Sequence, residues 1–323
     1  MSNQQSQHIP VLLQETLSGL ALTSNVTIID GTLGGGGHAA EILKRIAPRG
    51  IVIGFDRDAE TLETTTRRLQ TEFPDRFIGI HDSYASLGAY AEMLDQQRPI
   101  TGILADLGYS SFQIDDPSRG FSFQGNGPLD MRFDQTTGNT AADLLNTADA
   151  PALQRIFSEY GEYKQARTLA QNIVEQRQEM PFATVSDLSE LVLSTTPAKI
   201  RRTSRTHPAT TVFQALRIAV NDEFGHITRF IPEAMEQLAV GGRLAIITFH
   251  SLEDRIVKYA FRDMTIDCVC PPEFLECRCD KMATGKLVTR KPIIPTDAEI
   301  EMNPRARSAK LRIIEKITPT KNA

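Results

Sequence analysis

Cysteine is absent outside residues 268–279. That distribution excludes a disulfide framework spread through the fold, and it suits a reducing cytoplasm in which four clustered thiols serve some local purpose. Long apolar runs are missing too: nothing approaches the roughly 18 residues a membrane-spanning helix needs. The opening Met1-Ser-Asn-Gln-Gln-Ser-Gln-His8 has no basic region and no apolar core, so no secretory signal is expected. Positive charge is not in excess. Lys and Arg number 35 against 40 Asp and Glu, a formal net charge of −5, so nucleic-acid binding would have to rest on local basic patches. What remains is an ordinary globular composition, 41% apolar and 23% charged, over 323 residues. That length suits two domains, or one domain with a large insertion.

Glycine, by contrast, is concentrated where it carries meaning. Residues 26–38 read Val-Thr-Ile-Ile-Asp30-Gly31-Thr-Leu-Gly34-Gly35-Gly36-Gly37-His38; a helix-like stretch and Gly50-Ile-Val-Ile-Gly-Phe-Asp56 follow. A strand, a glycine loop, a helix, a second strand and a terminal acid form a unit that holds the nucleoside part of a cofactor. The glycines let backbone N–H groups approach the ligand, and the acid accepts bonds from ribose hydroxyls.

Strand signals fall near 26–30, 51–56, 76–81 and 101–106, with helical periodicity between them, as in Ala59–Leu69 and Leu87–Leu94. Such alternation implies βαβ units and a parallel sheet covered on both faces. The rhythm breaks after Asp106-Leu-Gly-Tyr-Ser-Ser111. A loop punctuated by Gly and Pro follows, and then helix patterns alone to about 212. It returns with Thr211–Asn221, a helix near 226–239, the strand Arg243–Phe249 and the helix Glu253–Arg262. Lys286–Ile294 and Ser308–Lys316 read as a final strand pair. The expected architecture is therefore a discontinuous α/β domain, 1–112 and 213–323, split by a loop and helical insertion over 113–212 for substrate recognition. An insertion placed after a strand's C-terminal end overhangs the ligand crevice.

Gly34-x-Gly36-x-x-Ala39 formally satisfies a dinucleotide fingerprint, with Asp56 about 20 residues on. Three features weigh against a nicotinamide enzyme. Asp30 ends the first strand, where an acid can face a positive amino or sulfonium group. Asp106 ends the fourth strand in a second Asp-x-Gly turn at the same edge. Leu238-x-x-Gly-Gly-Arg-Leu-x-Ile-Ile, with its closing strand pair, looks like the C-terminal half of a Rossmann-like class I S-adenosylmethionine-dependent methyltransferase.

Eight segments sharpen the likeness: His8–Glu15, Asp30–His38, Asp106–Ser111, Arg119-Gly-Phe-Ser-Phe123, Gly127-Pro-Leu-Asp-Met-Arg132, Phe213–Asn221, Phe249-His-Ser-Leu-Glu-Asp-Arg255 and Asn303-Pro-Arg-Ala-Arg-Ser308. In this order they resemble the bacterial 16S rRNA cytosine-N4 methyltransferase family (MraW/RsmH), over nearly the whole chain. The resemblance implies methylation of the exocyclic amine of a single decoding-region cytidine in the small ribosomal subunit, in the cytoplasm, with a helical insertion in the fold. Carried over by motif position, the cofactor contacts would be Gly36, Gly37, His38, Asp56, Tyr84, Asp106 and Gln113. Each has a plainer alternative: turn glycines, a helix-start histidine, Asp56 as a helix N-cap, Tyr84 as a core aromatic, and Gln113 as a solvated loop residue. Asp106 is the candidate acceptor for the cytosine amino hydrogens, and Tyr109 the aromatic on which an extruded base would stack. Many amino-methyltransferases carry Asp/Asn-Pro-Pro-aromatic at this turn, where this chain has Asp106-Leu-Gly-Tyr109; that departure leaves open whether Asp106 meets the base or the cofactor alone. His250 ends the fifth strand and reads more readily as a capping or core histidine.

RNA contacts would come from Lys199, Arg201, Arg202 and Arg205, and from Arg305 and Arg307 with Lys310 and Arg312. Cys268, Cys270, Cys277 and Cys279 form two Cys-x-Cys pairs able to supply four thiolates to a structural zinc ion; free or redox-variable thiols are the alternative, and the family resemblance is not extended to a metal. Other readings are a nicotinamide dehydrogenase, a non-catalytic ribosome-assembly factor on the same fold, and a methyltransferase acting on a protein or small molecule. Oligomeric state is open, a homodimer included.

Overall fold

The computed structural model describes residues 10–95, 98–109, 111–203, 206–271, 273 and 276–320. The chain divides into two compact units, one of Met1–Gly108 with Phe224–Ala323 and one of Tyr109–Glu223.

The first unit is built on a seven-stranded sheet. Its strands are β1 (Thr27–Asp30), β2 (Ile51–Asp56), β3 (Phe77–His81), β4 (Ile100–Asp106), β5 (Arg243–Thr248), β6 (Ala283–Leu287) and β7 (Lys310–Thr320), in the order β3-β2-β1-β4-β5-β7-β6. Strands β1 to β5 run parallel; β7 lies antiparallel between β5 and β6. The central strands are β-branched runs buried along their length, because both faces are covered. Successive residues alternate between two cores. Ile28, Val52, Leu104 and Ile247 meet Ile42, Leu43 and Leu69 on one face. Ile29, Ile53, Ile103 and Ile246 meet Phe230, Ile231, Val257 and Phe261 on the other. This is a doubly wound α/β sheet with an antiparallel closing strand, and strand order reverses between β1 and β4. A ligand crevice belongs there, at the strands' carboxyl ends.

The second unit is helical. Helices Ala141–Thr147, Ala150–Glu159, Ala166–Glu179, Val185–Thr195 and Ala209–Asn221 surround a core that includes Phe157, Leu169, Leu188 and Leu216. Thr140 and Thr184 begin two of these helices with reciprocal capping boxes, through Asp143 and Asp187.

Several expectations from sequence shift. Thr211–Asn221 does not open the returning α/β half: its Val212, Phe213 and Leu216 pack in the helical core, so that unit runs to Glu223 rather than 212 and begins at Tyr109 rather than 113. The helix read over Leu87–Leu94 is a 3-10 turn, Tyr84–Tyr90, followed by a short helix Ala91–Asp95; the Gly88 N–H turns away to Glu233 Oε2 at 2.9 Å. Lys286–Ile294 is not one strand. β6 ends at Leu287, Pro292 has no N–H for a ladder, and only Ile293 bridges Leu311. Among the described residues no helix is long and apolar enough to cross a membrane.

Ile53 is wholly buried at the centre of the sheet. Ile53→Ala should lower the unfolding free energy by about 2–5 kcal/mol in denaturant titration; a change well under about 1 kcal/mol would contradict the packing described for that face.

Candidate active site

Three carboxyls end neighbouring strands at the sheet's carboxyl edge: Asp30 on β1, Asp56 on β2 and Asp106 on β4. The glycine loop runs between the first two. Gly36 sits at φ 67°, and a Cβ there would fall 2.6 Å from Thr65 Cγ2, so both backbone and space demand glycine. Helix Gly37–Arg45 starts immediately after, with its first N–H groups at the loop. The loop is tied to β2 by the Gly34 N–H, which donates to Asp56 Oδ2 at 2.7 Å. The other oxygen of Asp56, Oδ1, accepts the Asp58 N–H at 2.8 Å. Asp56 is thus not the cap of the following helix; Asp58 is, accepting the Thr61 N–H at 3.0 Å.

Burial dominates the chemistry of this edge. It pushes the Asp30 carboxyl up to about 7, opposed by the Thr32 N–H and assisted by Asp56. It pushes Asp56 up to about 6 against the backbone N–H groups that Asp56 accepts. Asp106 is held well above the usual carboxylate range by burial first, then by the negative charges of Asp30 and Glu253. The Asp106 N–H donates to Thr32 Oγ1 at 2.6 Å, and among the described residues Asp106 Oδ1 is buried with no hydrogen-bond partner. A set of desolvated acids with an open acceptor suits a ligand that brings positive charge and N–H or O–H donors.

His38 joins the set. It is buried, its Nε2 lies 3.1 Å from the Val11 carbonyl, and its Nδ1 lies 3.9 Å from Asp106 Oδ2. With Nε2–H donating to that carbonyl, the Nδ1 lone pair of the neutral ring is left facing Asp106. Tyr84 stands beside the loop. A Cβ on Gly31 would come 3.0 Å from Tyr84 Cβ, and the Tyr84 ring meets Phe230 edge-on at 4.9 Å. His226 is a neighbour that no motif or spacing singles out: it meets Ser83 Oγ at 2.6 Å and the edge of Tyr84. Glu253 was also missed. It is fully buried, accepts the Phe249 N–H at 2.9 Å, and has Oε1 3.0 Å from His250 Nε2. His250 itself is the N-cap of helix Ser251–Met264.

The structure therefore brings Gly36, Gly37, His38, Asp56, Tyr84 and Asp106 to one edge of the first unit. Tyr109 and Gln113 belong to the second. Gln113 is buried in a short helix, Ser111–Asp115, rather than in the loop expected, and so is not the solvated residue of the plainer alternative. Tyr109, 40% exposed, stacks with Phe121 at 5.9 Å, and Phe121 stacks in turn with Phe133 at 5.6 Å. Arg217 lies over the Tyr109 ring at 4.8 Å while pairing both its Nε and Nη2 with Glu223, at 2.8 and 3.0 Å. Asn221 Nδ2 donates to the Met131 carbonyl, and its Oδ1 accepts the Phe133 N–H, both at 2.8 Å. These buried polar partners come from the motifs Arg119–Phe123, Gly127–Arg132 and Phe213–Asn221, whose residues fix one another and the aromatic row.

Lys199, Arg201 and Arg202 are exposed on the short helix Ala198–Thr203 and form no ion pair among the described residues; Arg205 lies outside them. Arg305 and Arg307 are exposed on the 3-10 turn Pro304–Ser308. Lys310 and Arg312 differ from expectation. Arg312 Nε sits 2.6 Å and Lys310 Nζ 3.4 Å from Asp254, which despite its burial they hold below the usual carboxylate range; a residue engaged this way is poorly placed for phosphate. The four cysteine sulfurs converge within 4.8 Å of one another.

Relatives share this sequence along its length. A protein of Carboxydothermus hydrogenoformans named ribosomal RNA small subunit methyltransferase H is 46% identical over 311 residues, covering 96% of this chain and 98% of its own. Proteins of the same name from Heliobacterium mobile and Symbiobacterium thermophilum are 44% and 46% identical, covering 96% of this chain and 99% and 96% of their own. Among solved structures, an rRNA methylase from Streptococcus thermophilus aligns at a TM-score of 0.42 and 14% identity, over 96% of this chain and 99% of that one. Residues 5–317 match the MraW methylase family, and the chain belongs to it.

Proposed function

We propose that this chain transfers a methyl group from S-adenosylmethionine to the exocyclic N4 amine of a single cytidine in the decoding region of 16S rRNA, within the small ribosomal subunit. The support that carries this reading is kinship to proteins named for ribosomal RNA small subunit methylation, at 46% identity over 96% of the chain. When bound, the cofactor supplies an electrophilic methyl group on a positively charged sulfonium.

In this reading Asp56 accepts the ribose hydroxyls, and the helix start at Gly36, Gly37 and His38 takes the methionine carboxylate. Tyr84 borders the adenine, and Gln113 contributes a further cofactor contact. Asp30 and Asp106 face the positive centre. The buried acids are destabilised as anions in the empty protein, so a cation relieves their mutual repulsion. Asp106 has a second task. The N4 lone pair is delocalised into the cytosine ring, and an acceptor on the amino hydrogens helps that nitrogen become pyramidal and nucleophilic. Asp106 Oδ1 would accept one amino hydrogen, and the proton released after transfer would pass to Asp106. Tyr109, fixed between Phe121 and Arg217, gives the extruded base an aromatic neighbour. Lys199, Arg201, Arg202, Arg305 and Arg307 contribute phosphate contacts on a chain whose net charge is −5.

The deciding experiment combines labelled S-adenosylmethionine with small ribosomal subunits from cells lacking the gene, followed by nucleoside mass spectrometry. N4-methylated cytidine at a single decoding-region site is the expected result. Cofactor binding without any label in RNA would remove the substrate assignment and point to a protein or small molecule. Asp106→Asn should lower kcat by about 10²-fold or more; unchanged turnover would exclude the acceptor role.

Cofactor binding should depend on pH in a definite sense. Asp30 rises to about 7 and Asp56 to about 6 in the ligand-free protein, so a ligand requiring both as anions displaces protons at lower pH. Affinity is then flat above about pH 8 and weakens as pH falls through 7 and 6. Calorimetry in buffers of different ionisation enthalpy reads the protons directly; a dissociation constant unchanged down to about pH 5.5 contradicts it.

The first basic patch is tested apart from catalysis. Arg201→Ala with Arg202→Ala should weaken RNA binding and reduce its salt slope by about 1 per residue, with cofactor affinity unchanged. Loss of cofactor affinity in that double variant would show a structural role instead.

A further inference from the structure

We propose that Cys268, Cys270, Cys277 and Cys279 form a tetrathiolate site for one structural zinc ion, which fastens the connection between helix Ser251–Met264 and β6. The inference stands on the geometry of this segment and does not depend on the substrate reading above.

The first observation is distance. Neighbouring sulfurs lie 3.4 Å apart for Cys268 and Cys277, 3.6 Å for Cys277 and Cys279, and 4.0 Å for Cys270 and Cys277 and for Cys268 and Cys279. A tetrahedron with Zn–S bonds of about 2.3 Å has edges of about 3.8 Å, close to all four separations. All four sulfurs fall within 4.8 Å of one another, and none of the four cysteines is in a disulfide. The two Cys-x-Cys pairs approach from opposite ends of the connection and so supply two corners each.

The second observation is the environment. Among the described residues of 265–282 none is buried, and Val269 is 62% exposed. Among its described residues no apolar core holds this stretch together, and gathering four neutral thiols at a surface offers little in exchange for the chain entropy lost. Segments too short to build a core are commonly held by metals or disulfides, and a metal bound only by the folded arrangement turns its binding energy into folding energy.

The third observation is the backbone around the sulfurs. The Arg278 N–H donates to Cys270 Sγ at 3.2 Å, the Val269 N–H to Cys279 Sγ at 3.4 Å and the Cys270 N–H to Cys268 Sγ at 3.4 Å. N–H groups aimed at sulfur favour the thiolate and orient it, as outer partners do around metal ligands. Thiolate ligation by a closed set of four leaves no open coordination position, so the ion's task is structural. It would pin the loop that links the helix capped by His250 to the sheet edge at Ala283, where Lys281 also pairs with Asp263 at 2.6 Å.

The test uses the full-length chain purified without chelator from zinc-supplemented cells, with metal content read by mass spectrometry. The expected result is about one zinc per chain, four thiols that react with a thiol reagent only as zinc is released, and a tetrathiolate charge-transfer band on replacement by cobalt. Cys268→Ser with Cys277→Ser should lose the metal, and limited proteolysis between 265 and 282 should quicken to the rate of chelated wild type. Should that variant fail to fold, wild-type stoichiometry and the cobalt spectrum still decide. Four freely titrating thiols with neither zinc nor a cobalt spectrum would overturn the proposal; so would disulfides, or iron in place of zinc.

Discussion

The fold is organised around a cost: negative charge placed where water cannot reach it. Asp30, Asp56 and Asp106 end adjacent strands because a parallel sheet delivers its strand ends to one edge. Three carboxyls so close to apolar cores resist ionising, and each has its own compensation. Asp56 is met by the backbone N–H groups of Gly34, Arg57 and Asp58, Asp30 by that of Thr32, while Asp106 Oδ1 has no partner among the described residues. The glycine loop serves Asp56 through the Gly34 N–H, the Thr32 hydroxyl takes the backbone N–H of Asp106, and the buried His38 ring lies 3.9 Å from the Asp106 carboxyl. An edge that repels itself when empty becomes favourable when a positively charged ligand arrives.

The helical unit obeys a different constraint. Its long Gly- and Pro-punctuated segment must be held without regular structure, and buried side chains do this through backbone groups. Asn221 clasps Met131 and Phe133. Arg119 Nη2 reaches the carbonyls of Arg132 and Phe133 at 3.1 and 2.9 Å, and Asp130 and Arg132 pair at 2.8 Å. Much of the motif sequence in this unit therefore supports the row Tyr109, Phe121 and Phe133. Charged residues inside motifs are not thereby ligand contacts: Arg217 is consumed by Glu223 and the Tyr109 ring, and Arg312 by Asp254. The cations on the helix Ala198–Thr203 lie outside such networks and are exposed.

The sequence by itself determined the sheet and its edge. Alternation of β-branched strands with amphipathic helices produces βαβ units under local rules, so β1 to β5, the loop at Gly36 and the strand-end acids were legible. The Cys-x-Cys pairs were legible as a candidate ligand set for the same reason, since spacing alone brings two sulfurs of each pair near one another. Tertiary structure decided what depends on distant residues. Whether Thr211–Asn221 belonged to the sheet or the helical unit turned on which core its apolar face met, and periodicity is identical in either case. That Glu253 raises Asp106, that Ser83 meets His226 across 143 residues, and that Asp254 takes up Lys310 and Arg312 are long-range pairings. A residue's type announces what chemistry it is capable of; its burial and its neighbours, which the folded chain alone supplies, fix the charge it carries and the partner it meets.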